Sequence, residues 1–220
     1  MASVRRFPLI IAAAGKSARY GRPKLLEVIP GKHLTLIEHV VGECSAGGAG
    51  PIVVVLGPAS IEPFGAIGKK AQRVDAEVLH IDPAPAQMRE SIEHGIRQLE
   101  REIEGAETTY SPHCFGFMPG DLPGLEAAFV RKLIEECERS RSVLVRALSP
   151  EGMGLHPVAM RWADRNALLD LPGEYGPNQL WKMPDLSRHE FVHEGEGMRY
   201  DLDIPQDWEK FPFLRDPQGE

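Results

Sequence analysis

No stretch of the chain approaches the ~20 uninterrupted apolar residues that a membrane-spanning helix requires, so no such helix is expected. The opening run, MASVRRFPLIIAAAG, is too short and leads too directly into glycine and charge to serve as a signal peptide, and it reads as a first strand. Cysteine is scarce. Cys44, Cys114 and Cys137 are widely spaced and odd in number, with no CxxC and no histidine nearby at zinc-ligand spacing. They read as small buried hydrophobes in a protein of the reducing cytoplasm. Positive charge is also short, with 25 Lys and Arg against 32 Asp and Glu and a net charge of -7. That balance excludes a general electrostatic grip on nucleic acid, although a small polyanion in a local pocket stays open. Internal repeats and low-complexity tracts are absent as well.

What is present belongs to a folded α/β protein. At 220 residues, 42% hydrophobic and 26% charged, the chain suits one domain with one core better than two. Apolar runs at 7–12, 52–56, 77–81, 114–118, 143–147 and 157–160 read as strands, and continuous runs such as IVVVL mark strands buried on both faces. Between them, Ile92, Ile96, Leu99 and Ile103 recur at helical steps over 86–104, and Phe129, Leu133 and Ile134 do so over 125–140. Both segments read as crossover helices. The alternation implies a three-layer α/β/α domain with a mostly parallel, Rossmann-like sheet. Turns are expected at 47–51 and 172–177, and a frayed tail at 216–220.

The segment Ile10 to Lys24, IIAAAGKSARYGRPK, is the most informative. A buried strand runs into a loop of small residues carrying Lys16, Arg19, Arg22 and Lys24. Small residues let backbone N–H groups approach a triphosphate, and the cations neutralise it. The Gly15-Lys16-Ser17 triplet imitates a P-loop, but that motif needs a glycine where Ile10 stands. The dinucleotide fingerprint GxGxxG is missing too. Two acidic segments match the loop in interest. Asp121 follows a buried strand, between Gly120 and Leu122-Pro123, where it serves either as a turn former or as a ligand for a hard cation. Asp201 and Asp203, two apart, face one way if extended, as metal ligands or as a solvated strand end, while Asp207 starts a short helix.

AAAGKSARYGRPK resembles the LAAGxSxRMGxxK signature of nucleotidyltransferases related to molybdenum-cofactor cytidylyltransferase and guanylyltransferase, themselves similar to methylerythritol-phosphate cytidylyltransferases and sugar-1-phosphate nucleotidylyltransferases. Gly15, Ser17, Arg19, Gly21 and Lys24 fall at the motif positions, with Tyr20 in place of Met and Ala12 in place of Leu. Three later landmarks follow in the family's order: QMRESIEHGI (87–96), GDLP (120–123) and DLDIPQDW (201–208). The resemblance implies that Ala13, Ala14, Gly15, Lys16 and Ser17 wrap the triphosphate, with Ser91 and Gly95 near the nucleobase. On the residues alone, Ser91 and Gly95 are equally packing residues. Lys24 and Arg19 are implied to act on the phosphates, and Mg²⁺ to sit on Asp121, Asp201 and Asp203.

The activity so implied is transfer of a nucleoside monophosphate from CTP or GTP to a phosphorylated small molecule such as a molybdopterin-type cofactor. Residues up to about 125 would bind the nucleotide and 126–215 the acceptor. Transfer to a sugar 1-phosphate or alcohol phosphate is the alternative within the enzyme class, and a nucleotide-binding protein without catalysis is the alternative outside it. His156, in a Gly-x-His-Pro turn, is either an acceptor contact or a local hydrogen-bonding residue. Two departures from the family stand out: residues 173–179, where relatives carry GDxGAR, and a longer charged turn at 27–33.

Overall fold

The computed structural model describes residues 7–105, 112–173 and 175–211, so the 216–220 tail and Glu174 of the 172–177 turn lie outside the described residues. Its centre is β1 (Phe7–Ala12), whose side chains alternate between two apolar layers. Leu9 and Ile11 join one cluster and Ile10 the other. β2 (Ala49–Leu56) repeats the pattern, with Val54 on the first side and Val53 and Val55 on the second. A strand covered on both faces has no polar side to alternate with, which is why these segments read as unbroken apolar runs.

On the first face lie α1 (Leu36–Ala46), α2 (Phe64–Gln72) and α4 (Ala127–Arg139). The second face carries α3 (Met88–Gly105), joined by the short α5 (Asn166–Leu169). Ile92, Ile96 and Leu99 of α3 are fully buried, as their spacing requires. Gly95 completes that contact: a Cβ there would stand 2.5 Å from the Ile10 side chain, so glycine sets how closely α3 approaches β1.

The remaining strands are β3 (Glu77–His80), β4 (Cys114–Pro119), β5 (Leu144–Leu148), β6 (Val158–Arg161) and β7 (Arg188–Val192). The sheet order is β3-β2-β1-β4-β6-β5-β7. All neighbours are parallel except β6, which runs antiparallel to both β4 and β5. α3 and α4 are crossovers, as expected. The chain builds outward from β1 to β3 and then returns through α3 to place β4 on the other side of β1. That reversal creates a switch point between β1 and β4, and ligands of open α/β sheets bind outside the carboxyl ends of strands at such points.

Two expectations are overturned. The turn expected over 47–51 is confined to Gly47 and Gly48, because β2 already begins at Ala49. Cys114 and Cys137 are not separate small hydrophobes but a disulfide pair, with Cα atoms 6.8 Å apart. The α4 crossover carries residue 137 back alongside the start of β4, a proximity that a 23-residue separation without a CxxC motif does not reveal. Only Cys44 is free and buried among the three. The cysteine-based argument for a reducing compartment therefore falls. Among the described residues, no helix is long and apolar enough to cross a membrane.

Candidate active site

Three connections meet at the switch point: the loop after β1, the turn between β3 and α3, and the loop after β4. Backbone bonds fix the first and third to the sheet, from Ala13 N–H to the Val55 carbonyl at 2.9 Å and from Gly120 N–H to the Ala12 carbonyl at 3.1 Å. Ser17 holds φ at 50° and Gly21 at 79°, left-handed conformations that turn the loop back on itself. The Ser17 carbonyl accepts N–H bonds from Tyr20 and Gly21, both at 3.1 Å. A cavity of about 310 Å³ opens between these segments, lined by residues 12–15 and 17–20, Lys24, residues 85–88, Ser91, Asp121 and Asp203.

The loop is braced from below. Tyr20 is buried, and its hydroxyl accepts the Trp208 Nε1–H at 2.9 Å and faces Glu27 Oε2 at 3.4 Å. The tyrosine that replaces the family's Met thus ties the loop to the C-terminal segment. Glu27, from the charged 27–33 turn, also receives Arg22 at 2.6 Å, which draws that cation away from the cavity.

The acids arrive from two directions. Asp121 stands just past β4. The segment around residue 202 comes alongside because Leu202 N–H donates to the Asp121 carbonyl at 3.1 Å, and because Gly124 lets the Gly197 backbone pass where a Cβ would collide with it. Lys24 Nζ donates to Asp121 Oδ2 at 2.5 Å and to the Leu202 carbonyl at 2.8 Å, and it lies 3.9 Å from Asp203 Oδ1. Arg19 reaches Asp203 Oδ2 at 2.7 Å. The other oxygen of Asp121, Oδ1, is buried without a hydrogen-bond partner. Asp201 is open to solvent at the rim as a residue. Its carboxyl is nonetheless shielded by the surrounding chain and faced by the Asp121 and Asp203 carboxylates, and together these push its pKa up to about 6 against the opposing Lys24 and Arg19.

The residues expected at the site divide accordingly. Ala13, Ala14, Gly15, Ser17, Arg19, Lys24, Ser91, Asp121 and Asp203 line the cavity together, and Asp201 stands beside them. Lys16 is exposed outside the cavity lining, and Gly95 packs against Ile10 instead of facing the cavity. Asp207 opens the terminal 3₁₀ turn (Pro205–Lys210), its Oδ2 accepting the N–H groups of Asp203 and Ile204 at 2.8 and 2.9 Å. It therefore orients the acidic segment. His156 lies outside the cavity lining with Nδ1 buried and unpartnered. Burial holds its imidazole below the ordinary pKa, with Asp121 opposing and Arg146 reinforcing. The reading from sequence missed Pro85 and Ala86, which wall the cavity, and the Leu202 carbonyl, which grips Lys24. A proline-rich link between strand and helix on the ligand side of the sheet is the signal that marks the first two.

Oxygen donors of this kind suit a hard cation such as Mg²⁺, and an orphaned buried carboxylate oxygen on Asp121 is a place for one to bind. Among the described residues, no three His, Cys, Asp or Glu side chains converge as a finished metal cage. That fits a metal that keeps waters and takes phosphate oxygens as its remaining ligands.

A glycine-bearing loop after the first strand, acids after the fourth and a cavity at the switch point between them define the class, a nucleotidyltransferase domain of the α/β type. The model of the MobA-like NTP transferase domain matches residues 9–190, and the chain belongs to that family. The bifunctional protein GlmU of Methylibium petroleiphilum is 27% identical over 156 residues, which are 66% of this chain. The chain spans only 30% of the length of that relative. Among solved structures, Rv0371c from Mycobacterium tuberculosis H37Rv superposes with a TM-score of 0.70 at 18% identity, covering 96% of this chain and 98% of its own. The same protein in complex with manganese gives 0.64 at 18% identity, covering 95% and 97%. A nucleotidyl transferase from Methanothermobacter gives 0.72 at 18% identity, covering 94% and 95%.

Proposed function

We propose that this chain transfers a nucleoside monophosphate from CTP or GTP to the phosphate of a small acceptor of the molybdopterin type, releasing pyrophosphate with Mg²⁺ as cofactor. The observation that carries the reading is the placing of Arg19, Lys24, Asp121 and Asp203 around one cavity beside the amides of residues 13–17. An acceptor phosphate oxygen forms a bond to the α-phosphorus, and the bond from that phosphorus to the bridging oxygen of the β-phosphate breaks. The acceptor is already ionised at neutral pH, so no strong base is needed, and positioning with charge neutralisation supplies the rate.

The loop amides from Ala14 to Ser17 hold the triphosphate. Lys24 and Arg19 exchange their carboxylate partners for phosphate oxygens and offset the charge of the leaving pyrophosphate. Ser91, with Gln87 beside it, lies where the nucleobase would enter. Asp121, Asp201 and Asp203 would hold the metal. When bound, Mg²⁺ supplies Lewis-acid stabilisation of the negative charge at the reacting phosphate. The manganese complex of Rv0371c supports a divalent ion in this fold.

The nucleotide is assigned to residues up to about 125 and the acceptor to the remainder. A sugar 1-phosphate or alcohol phosphate is the second reading of the acceptor, favoured by the departure of residues 173–179 from the family pattern. No nucleic acid or membrane partner is part of either reading, and a cytoplasmic setting, where nucleoside triphosphates are plentiful, goes with both. The test is pyrophosphate release with CTP and with GTP across a panel of molybdopterin-type, sugar and alcohol phosphates. Release with none of them, alongside tight nucleotide binding, would replace the enzyme by a non-catalytic nucleotide-binding protein.

A further inference from the structure

Lys24 does not wait in the cavity as a free cation. Its ammonium sits among Asp121 Oδ2 at 2.5 Å, the Leu202 carbonyl at 2.8 Å and Asp203 Oδ1 at 3.9 Å, three oxygens from two distant parts of the chain. This is an oxygen-lined seat for a cation, and a lysine fills it. The seat is sheltered, since the Lys24 side chain is 15% exposed and that of Asp121 19%. Arg19 holds the outer oxygen of Asp203 from the solvent side.

We infer that Lys24 is the resident counter-ion of the metal seat and competes with the divalent cation for Asp121. The oxygen of Asp121 open to a metal is Oδ1, on the same carboxyl group whose Oδ2 holds the ammonium, so a metal there would meet Lys24 with strong like-charge repulsion at short range. A nucleoside triphosphate resolves the conflict: its phosphates offer Lys24 new oxygens across the same cavity, and the vacated carboxylates accept the metal. Metal and nucleotide therefore enter as a coupled pair, and metal binding to the nucleotide-free protein is weak by construction. The coupling is reciprocal, so metal in turn tightens nucleotide binding.

This inference rests on the nucleotide reading for the trigger, but its core is tested on metal alone. Mn²⁺ is titrated into the nucleotide-free protein and followed by the paramagnetic resonance signal of the free ion. Lys24→Met is expected to bind Mn²⁺ more tightly than the wild type by roughly tenfold or more, since a competing unit charge is removed from a sheltered site. The double variant Lys24→Met with Asp121→Asn should lose that gain. Equal or weaker Mn²⁺ binding by Lys24→Met would overturn the inference. Thermal unfolding provides the second readout if Lys24→Met folds poorly, because unpaired carboxylates destabilise it. Mn²⁺ should then raise its melting temperature more than that of the wild type, and an equal rise would count against the idea. Failure of the nucleotidyltransferase reading would show separately, as no nucleotide binding or pyrophosphate release by the wild type, and would leave the metal titration unaffected.

Discussion

The two sides of the sheet are built by different rules. From β1 to β4 every strand is parallel, and β1 and β2 are covered on both faces. Beyond β4 the sheet changes direction at β6 and ends in β7, whose exposure alternates along an open edge, and after α4 the helices among the described residues are only the four-residue α5 and 3₁₀ turns at 162–164, 177–182, 196–199 and 205–210. On the first side, the candidate site residues fall at strand ends whose position the hydrophobic pattern already sets. On the second, their placement depends on how short irregular segments are strapped down, above all the C-terminal segment carrying Asp201 and Asp203.

The contrast can be broken most severely at the seam. Asp121→Ala or Lys24→Ala should lower pyrophosphate release by roughly a thousandfold, the scale of removing a charge stabiliser from a sheltered site, with the circular dichroism spectrum unchanged. Retention of more than a tenth of wild-type turnover would remove both residues from the reaction. Gly124→Ala comes next. Its new Cβ collides with the Gly197 backbone, so overpacking should destabilise the protein by about 1–3 kcal/mol and shift Asp201 and Asp203 away from Asp121. Chemical denaturation and turnover should fall together, and a loss of stability alone would show that the strap can move without moving the acids.

A smaller effect belongs to the outer edge of the parallel half of the sheet, at β3. Burial and the neighbouring Glu102 push the Glu77 carboxyl up to about 7, above its ordinary 4.5. The folded state therefore holds that proton more tightly than the unfolded chain. The stability this contributes is complete below about 4.5 and is lost as pH rises through about 7. Glu77→Gln should flatten the decline, visible as a higher melting temperature than the wild type at pH 8 and little difference at pH 4. An unchanged pH profile would mean that Glu102 relaxes away. The least effect is expected at Arg22, an exposed cation paired with Glu27 outside the cavity lining. Arg22→Ala should alter nucleotide turnover by less than about twofold. A larger loss would bring Arg22 into the phosphate site and enlarge the functional loop.

Much of the parallel half of the sheet was legible because burial and spacing agree there. The expected bounds of β1 match those observed, and Ile92, Ile96 and Leu99 stand where the helical steps put them. α1 and α2 went unread, although Thr35 and Glu38 form a capping box, with Thr35 N–H donating to Glu38 Oε2 at 2.9 Å, that marks the start of α1. β7 went unread for a different reason: RHEFV alternates polar and apolar only weakly at an open edge, and its partner β5 lies 44 residues away in register. At the site, the motif residues were legible one by one, but their mutual pairing was not. Nothing in local sequence says that Lys24 reaches across to the Leu202 carbonyl, because that contact is set by the crossing of Gly197 over Gly124. The Cys114–Cys137 pair has the same character, a product of where a crossover helix returns.

The bond between Trp208 and the Tyr20 hydroxyl gives the molecule an optical probe of its own. Trp162 and Trp181 are buried in the apolar layer beneath α3, whereas the Trp208 indole is hydrogen-bonded to Tyr20 in the loop after β1. Replacing the two deeper tryptophans by phenylalanine would leave a single fluorophore whose emission reports movement of the loop. Entry of a ligand could then be timed in the unlabelled protein, on the scale of the motion itself.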